Sequence, residues 1–491
     1  MIGWTERMEL HELNFRRRFS VNLYQSLKLP VGEMSLYKDW VNDQRGDPYP
    51  ILDRQGDITE AVADAAYTVA SAEGGEVSRL LGAFFPYYTY AFTIAEIGQC
   101  DMGITVCDRD GCRVVSVMLN RAEQIQVSGG QEEMLFPCHV CAGDILIITF
   151  RAGGVSLYLD RGNRPDLIGD VSLAVLNDYL NYAVYSSATV SLTTRLAAGG
   201  RAVYRGINSY LCGGISQADI KPMKYEDGTP IIEGGRLFLS FSARLEVGCY
   251  QAIMSWNPTL CDFRMEGAIF YDLGDGRCCN DVAASIVFDR RVHEWYIWFC
   301  AFSHGHVLAR GKVLGDPRYG IQIIDAKLME TWNGDDLTAF AGVAGDEDPD
   351  LAWIDGKWHL TICRREPEDG YHYYRFVSDT PLDGFTYADR TLTGGKTGGM
   401  MIPFENRYYF ACGTDFKSRA KYDVYPYDDF SKCERLTCDY DDGGFRGWGT
   451  VIGIYVGSRK KYYWITFDRH NGSDWNWSYG NIYVYEADAY N

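Results

Sequence analysis

The stretch Glu347-Asp-Pro-Asp-Leu-Ala-Trp-Ile-Asp-Gly-Lys-Trp-His-Leu-Thr-Ile, residues 347–362, decides the fold of the C-terminal part. It begins with acidic residues, continues as an apolar run, turns at Asp355-Gly356 and ends in a second, aromatic run, which predicts two antiparallel strands. The same pattern occurs in five places, at intervals of roughly 50–66 residues. The four other copies begin at Asp219, Asp281, Gly399 and Gly449.

Units of this length hold about four strands each and are typical of propeller blades. The repeat therefore predicts a five-bladed β-propeller over residues 191–491. A single blade cannot bury both of its faces, so the ring of blades has to close. The innermost strand of each blade begins near the central axis, and the residues at these starts are expected to converge in one funnel.

The first part of the chain is also expected to be built of strands, which makes the whole protein all-β. Residues 1–57 contain prolines at positions 30, 48 and 50 and are predicted to be irregular. Residues 58–190 alternate strand-like runs with turn residues and predict an antiparallel β-sandwich of the jelly-roll type. Helical spacing of Leu and Val over 170–185 predicts a helix that bridges the two domains.

Composition narrows the function. The 491 residues carry a net charge of −19, which disfavours nucleic acid and anionic membranes as partners. The chain contains 35 Tyr, 23 Phe and 12 Trp, and such rings favour strands and can stack on the flat faces of sugars. A neutral sugar is therefore a better expected partner than a polyanion.

The sequence predicts a cytoplasmic location. It begins without an apolar segment of the kind found in secretory signals, and no run approaches 18 apolar residues. The 15 cysteines are then expected to be reduced thiols. Cys138-His-Val-Cys141 lacks two further ligands at a zinc spacing, and the vicinal pair Cys278-Cys279 has no assigned role.

Three of the five predicted inner strands begin with a carboxylate, at Asp219, Asp281 and Glu347. Gathering three acids at one axis is unfavourable, because like charges repel and raise one another's pKa. Cleavage of a glycosidic bond is a reaction that uses such acids. One carboxylic acid protonates the leaving oxygen, and one carboxylate activates water or attacks the anomeric carbon.

The stretch from Glu347 resembles the third-blade motif of the arabinanase and xylosidase propellers, glycoside hydrolase family 43 and its relatives. In that family a Glu, a small residue and Pro open a strand that ends in Asp-Gly and aromatics. The resemblance covers roughly 205–490 and implies that Glu347 is the general acid. It likewise implies that Asp219 is the general base and that Asp281 tunes and orients the acid.

The chain departs from that family at several positions. Ile220 and Val282 follow the first two acids, where the family often has Pro. The stretch 445–452 lacks the His that the family often places near a central metal, so a central calcium ion is not supported and no cofactor is expected. The sandwich precedes the propeller, whereas many relatives carry theirs after it.

Several other residues are candidates for holding sugar hydroxyls. Arg446 and Trp448 precede the fifth inner strand and are the stronger candidates. A slip of one residue would move the acid from Glu347 to Asp348. The remaining candidates are Trp256, Arg364 and either His304 or His306.

The sequence thus predicts a glycoside hydrolase that acts on short oligosaccharides, with inversion of the anomeric centre. Three alternatives stay open: a retaining fructosidase-like hydrolase, a phosphate-dependent glycoside phosphorylase and a non-catalytic sugar-binding propeller. A homo-oligomer formed through the sandwich is also left open.

Overall fold

The structure is a computed structural model. It describes residues 8–23, 26–42, 46–162, 165–329, 345–366, 370–414, 422–438, 449–467 and 481–488. These residues form strands almost throughout, as predicted, and none of their helices is long and apolar enough to cross a membrane. The helical pieces are Leu10–Glu12, Trp40–Asn42, Ala174–Leu180, Tyr182–Tyr185 and Phe302–His304.

A network of 13 hydrogen-bonded strands occupies the N-terminal part. Its two longest strands, Thr89–Cys107 and Thr189–Cys212, pair antiparallel along most of their length. This agrees with an antiparallel β domain, while the jelly-roll sandwich stays a prediction. The other strands are Lys28–Glu33, Ile51–Gly56, Thr59–Ala63, Ala66–Ala70, Gly75–Ala83, Arg113–Asn120, Gln124–Gly129, Glu132–Pro137, Ile145–Arg151, Gly154–Asp160 and Asp166–Ser172.

Five separate sheets follow and form the five blades, which confirms the predicted propeller. Their innermost strands, called the inner strands below, are Ser216–Pro222, Val282–Asp289, Asp346–Ile354, Lys396–Phe404 and Gly449–Val456. Blade one continues with Arg236–Arg244, Cys249–Asn257, Asp262–Asp272 and Gly320–Asp325. Blade two continues with Glu294–Ala301, Val307–Val313 and Lys327–Leu328. Blade three continues with Lys357–Glu366, Gly370–Ser378 and Thr386–Arg390. Blade four continues with Arg407–Thr414, Tyr422–Pro426 and Glu434–Arg435.

The N-terminus closes the ring. Strand Asn14–Val21 pairs antiparallel with Ile482–Asp488 in blade five, which also contains Arg459–Phe467 and, at its outer edge, Thr437–Cys438. The prediction that residues 1–57 are irregular is therefore wrong for the described residues. The strand is hard to recognise in the sequence because only Phe15 is buried and three consecutive arginines hide the alternation of a half-buried strand.

The helical segment expected over 170–185 is shorter than predicted. A 3-10 helix, Ala174–Leu180, is followed by a single α-helical turn, Tyr182–Tyr185. This segment contacts the loop that leads into blade two: the N–H of Cys278 donates to the carbonyl of Leu180 at 2.8 Å, and the N–H of Tyr182 donates to that of Gly276 at 2.9 Å. The N-terminal part therefore anchors the loop before Asp281.

A β-bulge recurs in the inner strands of blades one to four. The pairing with the next strand shifts register at the same relative place in each, and one residue there has a positive φ. These residues are Asp219 at 52°, Ala283 at 61°, Asp348 at 49° and Gly398 at 61°. Because a bulge re-aims the side chains around it, it decides which residues of each inner strand face the funnel.

Candidate active site

Asp219 lies within the bulge of blade one, at the end of the propeller where the inner strands begin, which we call the funnel end. Its Oδ2 accepts a hydrogen bond from the Ser242 hydroxyl at 2.6 Å and one from Arg244 at 3.2 Å. The carboxylate side chain keeps 16% of its surface exposed. These two donors on the neighbouring strand fix the orientation of the carboxylate and balance its charge.

Glu347 lies just before the bulge of blade three. Its Oε1 accepts a hydrogen bond from the Tyr371 hydroxyl at 3.0 Å and is 2.7 Å from Nε2 of His306. Burial, followed by the charge of Glu347, raises the pKa of Tyr371, so this hydroxyl stays a proton donor to the carboxylate. The Glu347 side chain is 24% exposed and is therefore accessible to a ligand.

Asp348 is the buried neighbour of Glu347. Its Oδ2 accepts hydrogen bonds from the Thr397 hydroxyl at 3.1 Å and from the Gly398 N–H at 2.8 Å. Burial raises the pKa of Asp348, and together with the charges of Glu347 and Asp219, against the opposing effects of Lys221 and the Gly398 N–H, it brings that pKa to about 6. Carboxylates from blades one and three therefore lie within electrostatic reach of one another.

Asp281 comes directly before the inner strand of blade two. Its two oxygens accept hydrogen bonds from Ser303, one from the backbone N–H at 2.9 Å and one from the hydroxyl at 2.7 Å. Burial raises the pKa of Asp281, while Ser303 and the charge of His304 lower it. Arg244, which donates to Asp219, also contacts the Cys249 sulfur at 3.7 Å, and the amide of Asn280, next to Asp281, donates to the Cys249 carbonyl at 2.6 Å, so both acids lie at the funnel end.

The structure does not place the following predicted sugar-binding residues in the funnel. Trp256 is fully buried and packs against Phe263 and Tyr463, so its assignment to the funnel is wrong. Arg364 is buried and pairs with Asp346 through two contacts of 2.7 and 2.9 Å, which engages its guanidinium inside the protein. Arg446 and Trp448 lie outside the described residues.

Two buried lysines that the sequence analysis missed contact the inner strand of blade three. Lys221 lies on the inner strand of blade one, and Lys224 lies in the short strand Lys224–Tyr225, which pairs with the inner strand of blade two. Lys221 donates to the carbonyl of Pro349 at 3.0 Å, and Lys224 donates to both oxygens of Asp350 at 2.7 Å. Asp350 also accepts a hydrogen bond from Ser285 in blade two and one from the N–H of Met401 in blade four. The sequence did not indicate this role, because a lysine in a predicted strand is usually exposed to solvent.

The axial lysines bear on the question of a central calcium ion. Calcium prefers six to eight oxygen ligands, whereas the described part of the axis holds two ammonium groups that repel a divalent cation. The stretch 445–452 lacks the His expected near a central metal, and its first four residues, 445–448, lie outside the described residues. The residues that can be placed do not fit a central calcium ion.

The comparisons with known proteins give structural similarity only. No family model matches the chain, and a search of curated proteins finds no match. Among solved structures, the catalytic domain of a GH62 alpha-L-arabinofuranosidase from Coprinopsis cinerea is 12% identical, with a TM-score of 0.35 over 54% of this chain and 92% of that one.

Two further structures are similar at the same level. A thermostable family-43 glycoside hydrolase is 13% identical, with a TM-score of 0.36 over 56% of this chain and 90% of that one. A family 117 glycoside hydrolase from Zobellia galactanivorans is 12% identical, with a TM-score of 0.38 over 56% of this chain and 84% of that one. Identities and scores this low carry no conclusion about function, which has to be argued from the site.

The raised pKa of Asp348 leads to a prediction about stability. A carboxyl group whose pKa is higher in the folded state than its usual 3.8 destabilises the fold once it ionises. The folded protein therefore gains stability as the pH falls from about 6 towards 4 and the group becomes protonated. We expect Asp348→Asn to be more stable relative to wild type at about pH 7.5 than at about pH 4.5, by roughly 2 kcal/mol. Urea unfolding of both proteins at the two pH values measures this difference. A difference that does not change with pH would contradict the assignment.

Proposed function

We propose that the protein is a glycoside hydrolase that cleaves a glycosidic bond in a short oligosaccharide, with Glu347 as general acid and Asp219 as general base. The observation that carries the proposal is that Asp219, Glu347 and Asp348, from non-adjacent blades, lie at or beside the bulges of their inner strands at the funnel end. Glycosidic cleavage needs two carboxyl groups on opposite sides of one bond. Carboxyl groups on facing inner strands meet that requirement.

Glu347 suits the acid role better than its neighbour Asp348. Glu347 is partly exposed, and its carboxyl group lies within 3.0 Å of the Tyr371 hydroxyl and within 2.7 Å of the His306 ring. Asp348 is buried and held by a backbone N–H. In the proposed step Glu347 gives its proton to the glycosidic oxygen while the bond from that oxygen to the anomeric carbon breaks.

Asp219 suits the base role because hydrogen bonds from Ser242 and Arg244 fix the orientation of its carboxyl group. It takes a proton from water while the water oxygen bonds to the anomeric carbon. The family resemblance implied that Asp281 tunes the general acid. We assign this role to Asp348 instead. Asp348 interacts electrostatically with Glu347, whereas Asp281 is hydrogen-bonded to Ser303 and lies beside His304.

The proposal includes inversion of the anomeric centre. Inverting enzymes hold their two carboxyl groups roughly 6.5–9.5 Å apart to admit a water, and retaining enzymes hold them about 5–5.5 Å apart. Asp219 and Glu347 lie on blades one and three, with blade two between them, which favours the wider gap. Proton NMR of the first-formed product should show the configuration opposite to that of the substrate. Initial retention would make Asp219 a nucleophile.

A substrate panel tests the proposal directly. Purified protein would be incubated with aryl glycosides and with short plant and bacterial oligosaccharides, with and without inorganic phosphate. Release of free sugar without phosphate supports a hydrolase, and a sugar phosphate formed only with phosphate identifies a phosphorylase. Binding without any turnover across the panel would leave the sugar-binding alternative. Comparison with the Glu347→Gln variant separates this activity from a contaminant.

A further inference from the structure

A second group of reactive side chains lies at the entry to blade two. Cys279, Asp281 and His304 each offer one ligand atom, and these atoms all lie within 4.8 Å of one another. We propose that this cluster is a site for a transition-metal ion of the Zn²⁺ class, held by the Cys279 sulfur, a carboxylate oxygen of Asp281 and a ring nitrogen of His304. The inference stands independently of the proposed hydrolase function.

The donor set selects the type of metal. Thiolate, imidazole and carboxylate are the three ligand types that bind zinc, at about 2.0–2.3 Å, and tetrahedral geometry then separates the ligand atoms by roughly 3.3–3.8 Å. The observed spread of up to 4.8 Å therefore closes with small side-chain movements. Calcium and magnesium prefer oxygen donors and would not select a thiolate. Three protein ligands leave a fourth position for water or a substrate oxygen.

The local charge also favours a cation. Asp281 is 2% exposed, and no Lys or Arg forms an ion pair with it among the residues that the structure describes. Asp275 adds a second carboxylate, 3.8 Å from Nε2 of His304. A buried carboxylate without a Lys or Arg partner is unfavourable, and a metal ion would supply positive charge directly beside it. Asp275 is placed to orient the imidazole, as carboxylates do behind metal-bound histidines.

The ligands are held in place by the surrounding backbone. Cys279 forms two backbone hydrogen bonds with Tyr271, at 2.8 and 3.0 Å. The preceding residue, Cys278, is bonded to the N-terminal part through Leu180 and through the Tyr87 hydroxyl at 2.9 Å. The loop is therefore fixed from both sides before any ion arrives, which reduces the ordering needed on binding.

A metal-free cluster held together by Ser303 is the alternative explanation for the close approach of Cys279, Asp281 and His304. The Ser303 hydroxyl is 2.7 Å from Asp281 and 2.9 Å from Nδ1 of His304, and it also hydrogen-bonds with the Cys279 thiol. One hydroxyl could thus satisfy all three groups in a metal-free cluster. In the metal-bound state the hydroxyl would rotate aside, while the Ser303 N–H continues to hold Asp281.

The test is zinc binding by the full chain after removal of metal with a chelator. We expect one Zn²⁺ per chain by elemental analysis and by competition with a chromogenic chelator. Cys279→Ala and His304→Ala should each bind at least about 100-fold more weakly, since even outer-shell changes cost 10- to 100-fold. Cys278→Ala is the matched control and should keep the wild-type affinity, because it removes the neighbouring thiol without touching the cluster.

Cobalt substitution supplies a second measurement, which does not depend on how the variants fold. Co²⁺ bound by wild-type protein should give a thiolate charge-transfer band in the near ultraviolet. Absence of that band, less than stoichiometric zinc, or unchanged affinity in folded Cys279→Ala would overturn the proposal in favour of the Ser303 cluster. Glu347→Gln should retain the zinc, so failure of the metal site and failure of the hydrolase proposal are distinguishable.

Discussion

Replacing Glu347 with Gln should lower turnover of an unactivated oligosaccharide by about 100- to 10,000-fold, while the protein stays folded. The amide keeps the shape of the side chain and can still accept the Tyr371 hydrogen bond. It has no proton to give to the leaving oxygen. Steady-state kinetics on an oligosaccharide, with circular dichroism as a check of folding, measures the effect.

The leaving group then separates the acid from the base. An aryl glycoside with an acidic phenol departs without protonation, so it should restore much of the rate of Glu347→Gln but none of the rate of Asp219→Asn. Equal responses of the two variants to leaving-group pKa would show that the roles are misassigned. Glu405→Gln is a matched control, because Glu405 lies in the turn at the opposite end of blade four.

Asp348→Asn belongs in the same experiment, since a shift of one residue would make Asp348 the acid. If Glu347 is the acid and Asp348 only tunes it, Asp348→Asn should shift the alkaline limb of the pH–rate profile, which follows loss of the acid's proton, without rescue by a good leaving group. Rescue of Asp348→Asn instead of Glu347→Gln would move the acid to Asp348. The two residues are adjacent in sequence but differ in exposure and hydrogen-bonding partners.

The sequence revealed the blades because each blade is a local unit. The pattern of acid, apolar run, turn and aromatic run recurs within about 50–66 residues, so both strands of each hairpin lie close together in the chain. Strand Asn14–Val21 could not be found this way, because its partner Ile482–Asp488 lies at the other end of the sequence. Its burial is slight, and periodicity alone gave no signal.

The site was predictable only in part. The sequence indicated which inner strands begin with acids, but it could not show the bulge that gives Asp219 and Asp348 a positive φ and places them together. Trp256 shows the converse limit: its residue type suited a sugar platform, yet every interior position of its strand is buried, Trp256 included. Residue type indicates chemistry, and the local backbone decides where that chemistry points.

The largest expected effect on stability comes from the axis. Lys224 and Asp350 are buried, and burial lowers the pKa of Lys224 while the carboxylate of Asp350 opposes that shift. Removing one partner of a buried ion pair leaves an uncompensated charge and typically costs about 3–5 kcal/mol. Lys224→Met should therefore lower the free energy of unfolding by about that amount, as measured by urea titration.

The double variant shows whether the loss comes from the unpaired charge. Lys224→Met combined with Asp350→Asn removes both charges, while the Asn oxygen can still accept from the N–H of Met401 and the Asn amide can donate to the Ser285 hydroxyl. It should recover much of the stability that the single variant loses, because replacing a whole buried pair is often nearly neutral. Lys357→Met is the control, since Lys357 pairs with the exposed Asp379 and its loss should cost less than about 1 kcal/mol. A single Lys224 variant as stable as this control would mean that the buried pair does not hold the sheets of blades two and three together.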